Sequence, residues 1–316
     1  MKQILAITAI LCFCACHKAL ELDDLEFDVT AAKATPAIGD TVNFSFRGNP
    51  DLITFWSGEP GRRYRFRDRT EADGTPILRF RSKRFHAQNN TLSLLISTDF
   101  AGVVKDTAAT RASIGTANWT DITAQANLSP ANGTLTSSGP VSLASFASQG
   151  KPVYFAFRYK GAAGYPLNRW EIDSFYINNN LPDGTTYVIG NFNSYNVSYT
   201  NYGVPTFNPG FVFYNLSNTN FWFNSTVNSQ AGLVFKTDNA GLTADADSWA
   251  IVGPINLKKV TPDNGVVIKS LAQNLRDLRF SYRYMTAGNY EATFVAGKTN
   301  RNEDAYSIKP LTFTVQ

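Results

Sequence analysis

Two carboxylates two residues apart raise the first chemical question. In Trp170-Glu171-Ile172-Asp173 a β-strand puts Glu171 and Asp173 on one face, about 7 Å apart from the strand rise. Two acids flanking a sugar bond are all that glycoside hydrolysis requires, and Glu59, Asp99 and Asp121 are further candidates. Any strand with acids at i and i+2 has this spacing, so we assign no catalytic residue. A carboxylate hydrolase stays the minor alternative.

Other catalytic chemistry has little to work with. The two histidines are His17 and His86, and no G-x-S-x-G elbow presents a serine to either. No H-E-x-x-H, phosphate loop or dinucleotide fingerprint occurs. Cysteine is confined to Cys12, Cys14 and Cys16. The body therefore has no disulfide framework, cysteine nucleophile or cysteine metal site. Net charge is only +4, without the concentrated basic face of a nucleic-acid binder, so no nucleic-acid partner is expected. Arg62, Arg63, Arg65, Arg67 and Arg69 are interleaved with Tyr64, Phe66 and Asp68, which reads as a strand with one solvated polar face.

The segment 187–223 suggests recognition instead. It interleaves Tyr195, Tyr199, Tyr202 and Trp222 with Asn193, Asn196, Asn201 and Asn224 just beyond it. A ring face suits the C–H face of a pyranose, and neutral amides suit its hydroxyls. Phe and Trp at alternating spacing, as in Phe221-Trp222-Phe223, are equally the mark of a core. Turn-forming Asn and Gly surround Tyr195, Tyr199, Tyr202 and Trp222, which makes these the expected exposed, ligand-binding rings. Trp119, Trp170 and Trp249 are expected to pack inside.

These side chains need rigid elements, and the composition supplies strands. Phe, Tyr and Trp number 23, 14 and 5, and such residues favour pleated, half-buried surfaces. Period-2 runs recur: Val42, Phe44 and Phe46; Val153, Phe155, Phe157 and Tyr159; Leu278, Phe280, Tyr282 and Tyr284; Leu311, Phe313 and Val315. Turn dipeptides such as Gly39-Asp40, Asp73-Gly74 and Asn132-Gly133 separate them. The fold class is all-β, built of sandwiches.

The N-terminus reads as an address. Lys2 precedes the short apolar run Ile4–Phe13, then Ala15 and Cys16. This is a secretory signal, too short to span a membrane. Ala15-Cys16 resembles a lipobox, although Phe13 departs from the usual Leu or Val. The resemblance implies lipidation of Cys16 after removal of the signal peptide, with 17–24 as a tether, and an anchor of several acyl chains holds stably. Glu21, Asp23 and Asp24 resemble a Bacteroidetes surface-export signal. The expected location is the outer membrane, at the cell surface.

Three further resemblances organise the body. Ala287-Gly288-Asn289-Tyr290-Glu291-Ala292 resembles the tyrosine corner of a cysteine-free, PKD-like immunoglobulin sandwich. Too few strands precede it locally, so the missing ones are expected at the other chain end. This predicts a split domain of 25–84 plus 251–316, with 85–250 inserted; three small sandwiches in sequence are the competitor. The order Leu92–Gly102, Trp119–Ile122, Val153–Tyr159 and Trp170–Asp173 resembles galactose-binding-like jelly rolls of bacterial adhesins. That resemblance implies a structural calcium, with Asp99, Asp121 and Asp173 at the matching positions. Phe55–Tyr64, Ile96–Gly102, Trp119–Thr123, Phe155–Gly161, Asp247–Leu257 and Thr261–Lys269 together resemble Bacteroidetes surface lipoproteins of unknown function. The functional expectation is non-catalytic binding of a glycan at the bacterial surface. An adhesion or scaffold role toward an envelope protein partner is the alternative.

Overall fold

A computed structural model of the chain describes residues 22–86, 88–104, 106–165, 168–191, 210–217, 221–236 and 243–316. The protein is all-β, as its composition predicts. The early strands are β1 (Phe27–Ala31), β2 (Thr41–Gly48) and β3 (Leu52–Trp56). The long middle of the chain supplies β4 (Thr75–Phe85), β5 (Leu92–Ser97), β6 (Thr120–Asp121), β7 (Thr136–Ser137), β8 (Val141–Ser142), β9 (Val153–Gly161) and β10 (Arg169–Asn180). It continues through β11 (Thr186–Asn191), β12 (Val212–Ser217), β13 (Phe221–Val227), β14 (Gln230–Lys236) and β15 (Ala246–Ile255). The last strands are β16 (Val266–Lys269), β17 (Phe280–Arg283), β18 (Gly288–Thr299) and β19 (Asp304–Val315).

The chain divides into two compact units, Met1–Arg67 with Asp263–Gln316, and Asp68–Pro262. The crossover points thus lie at 67/68 and 262/263 instead of 84/85 and 250/251. Strand β4 decides the first: it pairs with β10 from Arg169↔Phe85 to Asn180↔Thr75, within the second unit. Ile255 and Leu257, buried in that unit's core, decide the other.

The first unit is a sandwich of sheets β1-β2-β17 and β16-β3-β18-β19. Alternation explains its core. Val42 and Phe44 from one sheet meet Ile53, Phe55, Phe294 and Phe313 from the other. Phe44 lies 5.0 Å from Phe294 and 5.9 Å from both Phe55 and Phe313, centroid to centroid. At the β17–β18 passage between sheets, Tyr290 OH donates to Thr286 O at 3.0 Å, the corner contact expected of this motif. Gly48 ends β2 at φ +116°, where a Cβ would collide with the Glu26 carbonyl, so the turn requires glycine.

The arginine run is corrected here. Tyr64–Phe66 is a short 3₁₀ turn, not a strand. Gly61 (φ 81°) turns the chain just before it. The guanidinium groups stack on neighbouring rings: Arg63 and Arg65 over Phe66, and Arg67 over Tyr64. The alternation of Arg with aromatic residues thus reflects local cation–π contacts and not a pleat.

In the second unit, a sheet ordered β13-β14-β10-β4-β7 also takes β11 on β10 and β8 on β4. It faces a sheet ordered β12-β15-β9-β5-β6. Leu78, Phe80, Ile172 and Phe175 pack against Leu94, Phe155, Phe157 and Ala250. The outer side of the second sheet carries Leu95, Ala156, Trp249 and Ile251, which cluster with Ile114 of helix α1 (Thr107–Thr116). Asp106 starts that helix, its side chain accepting from the Ala108 and Ala109 amides at 2.8 and 3.1 Å, which satisfies donors no helical carbonyl can reach.

Candidate ligand-binding cavity

Strand β4 carries the origin of the site. Its inward positions run Leu78, Phe80, Ser82, Arg84, all buried. Polarity therefore rises along one face of one strand, and at its end the core gives way to a cavity of about 440 Å³. Arg84, Asn89, Asn90, Thr91, Asp121 and Trp170 are among its lining residues. Trp170 stands opposite Arg84 in the β4–β10 register.

Arg84 is 8% exposed. Its Nη1 donates to Gln88 O at 3.2 Å and to Asn89 Oδ1 at 3.0 Å. Its Nη2 donates to Pro130 O at 2.7 Å. All three acceptors are neutral. Among the described residues no acid forms an ion pair with Arg84, and its Nε is buried without a hydrogen-bond partner. A buried donor without an acceptor is uncommon and calls for an explanation.

A polar network supports the other wall. Trp170 Nε1 donates to Thr91 Oγ1 at 2.9 Å, and Asn168 Nδ2 donates to the same oxygen at 3.1 Å. Asn168 clamps Gln88 with both ends of its amide, and its backbone N–H donates to Tyr159 OH at 3.1 Å. Tyr159 stacks on Phe235 at 3.9 Å, and burial pushes its hydroxyl up to about 12. Of the lining residues, Asn90 holds a φ of 56°. Asp121 is exposed on the cavity wall, and its Oδ1 accepts from Thr123 N at 2.8 Å. The site thus offers a guanidinium, amides, hydroxyls, one carboxylate and an indole. This is equipment for holding a polar molecule.

The acids singled out from the sequence go to separate tasks. Asp99 accepts from Ser97 Oγ at 2.8 Å, Asn118 N at 2.9 Å and Asn118 Nδ2 at 2.6 Å. The bonds from Asn118 and then Ser97 hold its carboxyl below the usual carboxylate range. Asp173 is buried, paired with Arg81 Nε at 2.5 Å and bonded by Asn228 Nδ2 at 2.9 Å. Asp121 alone of the three lines the cavity. Among the described residues no group of three His, Cys, Asp or Glu side chains is placed to hold a metal, so these aspartates do not form the expected calcium set. Each instead holds its own loop or strand through hydrogen bonds. Glu171 pairs with Arg169 at 2.5 Å, so both strand acids are engaged by cations. Glu59 accepts from Ser57 Oγ at 2.8 Å and Tyr282 OH at 2.5 Å; burial, then this acid, raises the Tyr282 hydroxyl.

Trp222 corrects the aromatic expectation. It is 2% exposed, paired in register with Phe235, and its Nε1 donates to Ser248 O at 3.3 Å. Phe211 and Tyr214 are buried too. Phe211, Tyr214 and Trp222 thus turn into the sandwich, while Val188 and Leu216 in the same described stretches are exposed. Tyr195, Tyr199, Tyr202 and Cys16 lie outside the described residues. Trp170 and Trp249 are buried, as expected, while Trp119 is half-buried against the outer cluster. The residue that sequence reasoning missed is Arg84. Its signal was present: an arginine falls on the apolar parity of Leu78 and Phe80.

Among the described residues no helix is long and apolar enough to cross a membrane. No curated protein and no solved structure matches the chain. A family model described as a domain of unknown function, DUF5017, matches residues 15–196, which is 182 of the 316 residues. The matched span takes in Arg84, Asp121 and Trp170, and the chain belongs to the DUF5017 family.

Proposed function

We propose that this chain is a non-catalytic binding protein of the bacterial envelope that holds a glycan in the cavity of its second unit. The observation that carries this reading is the cavity lining. Asn89, Asn90, Thr91, Ser93 and Thr123 supply amides and hydroxyls, and Trp170 supplies an apolar ring. Its volume, about 440 Å³, falls within the roughly 300–1,000 Å³ of small-molecule sites. Amides and hydroxyls that both donate and accept suit a ligand rich in hydroxyl groups. Seven strands in sheets of three and four, with the Tyr290 corner, support a PKD-like reading of the first unit. The two larger facing sheets support a jelly-roll-like reading of the second. Lipidation at Cys16, with an outer-membrane surface location of the Bacteroidetes type, completes the proposal.

Isothermal titration of the mature chain against a broad glycan panel tests the binding. Saturable heat with one glycan class, lost in Asn89→Ala with Asn90→Ala, is the expected result. Silence across the panel removes the reading. Radiolabelled palmitate should enter the wild-type chain and not Cys16→Ser.

A second reading rests on the outer face of the β16-β3-β18-β19 sheet. Val267, Thr54, Val295 and Ile308 form one row across it by register, and Leu52, Gly297 and Tyr306 form the next. Val267, Ile308 and Tyr306 are 57%, 49% and 68% exposed. Clustered apolar exposure of this kind suits an envelope protein partner. A stoichiometric partner lost on Ile308→Glu, with no sugar affinity in the chain, would favour it.

A further inference from the structure

We infer that the cavity takes an acidic saccharide, one bearing a carboxylate, with the carboxylate seated on Arg84. This rests on the glycan reading above and names the class of glycan.

The argument starts from charge. A guanidinium stays protonated in proteins, so the 8% exposed Arg84 carries a full positive charge into the protein. Leaving a buried charge unpaired is costly, because the interior does not replace the lost hydration. Even the more exposed Arg81, Arg158 and Arg169 in the same unit are paired with acids, Asp173, Asp247 and Glu171. Arg84 has only neutral carbonyl oxygens. Among the described residues, the only acid on the cavity wall, Asp121, forms no ion pair with it.

The donor count points the same way. A guanidinium has five N–H groups. Two on Nη1 and one on Nη2 are used. Of the two that remain, the Nε N–H is closed off inside the protein, its nitrogen buried without a partner, and the second Nη2 N–H is left for a ligand oxygen. A bond from this cationic donor to a carboxylate is stronger than one to a neutral acceptor. The three bonds already made fix the plane of the guanidinium, so little ordering is left for the ligand to impose. The amides and hydroxyls along the rest of the lining then meet the sugar hydroxyls. Asp121 sits on the same wall as a like charge to the ligand, which limits affinity for small anions and favours a molecule large enough to use the remaining contacts.

The test is isothermal titration of the full mature chain with glucuronic and galacturonic acids, with glucose and galactose, and with acetate and inorganic phosphate. The uronic acids should bind about tenfold or more tighter than their neutral counterparts, and added salt should weaken the uronic acids only. Asp121→Asn should tighten uronic acid binding several-fold, since asparagine keeps the amide oxygen toward Thr123 N and removes the repelling charge. Arg84→Gln should erase the difference between acidic and neutral sugars. If that variant does not fold, Asp121→Asn and the salt series decide alone. Equal binding of glucose and glucuronic acid overturns this inference and leaves the glycan reading standing. Acetate or phosphate binding as tightly as the uronic acids supports the anion site and sinks the glycan reading. No heat with either uronic acid, or weaker binding in Asp121→Asn, overturns the inference.

Discussion

Each unit buries a cation on neutral carbonyl oxygens, and the two cations are not equivalent. In the first unit Lys269 is 4% exposed and its Nζ donates to Asp51 O at 2.9 Å and Ser270 O at 3.4 Å. In the second unit Arg84 is 8% exposed and donates to three neutral oxygens. The lysine is a compact charge with rotatable donors, and carbonyls at a strand end satisfy it. The arginine is a rigid fork with a donor left over, set on the wall of a cavity. Burial of a charge is therefore not by itself a sign of function. Open volume beside the charge is what sets Arg84 apart from Lys269.

The contrast can be broken at several places. The largest effects lie in the aromatic cores and should be alike in both units. Phe294→Ala in the first and Phe157→Ala in the second each empty a fully buried site. Each should cost about 3–5 kcal/mol, seen as a lowered denaturant midpoint. A much smaller loss in one unit would mean that its core collapses around the gap.

The buried cations come next. Lys269→Met and Arg84→Met each strand carbonyls that have lost their donor, at about 1–3 kcal/mol per unit. Only Arg84→Met should erase the preference for uronic acids over neutral sugars in titration. Loss of that preference in Lys269→Met as well would erase the distinction drawn here. A smaller effect is expected from Tyr290→Phe, which removes one hydrogen bond to Thr286 O for about 0.5–1.5 kcal/mol. It should leave ligand binding unchanged.

The smallest effect is a pH dependence. The Asp99 carboxyl is held low by Asn118 and Ser97. Its folded form thus prefers the ionised state more than its unfolded form does. That contribution is present above the unfolded value, about 3.9, and is lost as pH falls through the lower folded value. Asp99→Asn should flatten the acid limb of a thermal stability profile below about pH 4, by lowering stability slightly at neutral pH and leaving the acid end unchanged.

Much of the fold was legible in the residues. Alternation marked β2, β9, β10, β17 and β19, because a strand sends successive side chains to opposite faces. The Tyr290 corner was legible from its local spelling, since its hydrogen bond reaches only four residues back. The arginine run was misread for a related reason: stacked cation–π pairs in a tight turn produce the same alternation as a pleat. Trp222 was misread because its Asn neighbours describe the strand's flanks, whereas its burial depends on Phe235 and Ser248, contributed by other strands.

The amino-acid sequence by itself determined the class of the protein: strands, aromatic cores, and a body free of cysteine chemistry. These follow from side-chain type and period, which are local properties. Only the tertiary structure decided where charge is left uncompensated. Whether an arginine meets an acid, a carbonyl or open space depends on strands brought together from distant parts of the chain, and strand parity alone says nothing about what stands opposite. Arg84 is the case in point: its acceptors come from residues 88, 89 and 130, and the cavity beside it is closed by Asp121, Thr123 and Trp170 from other segments.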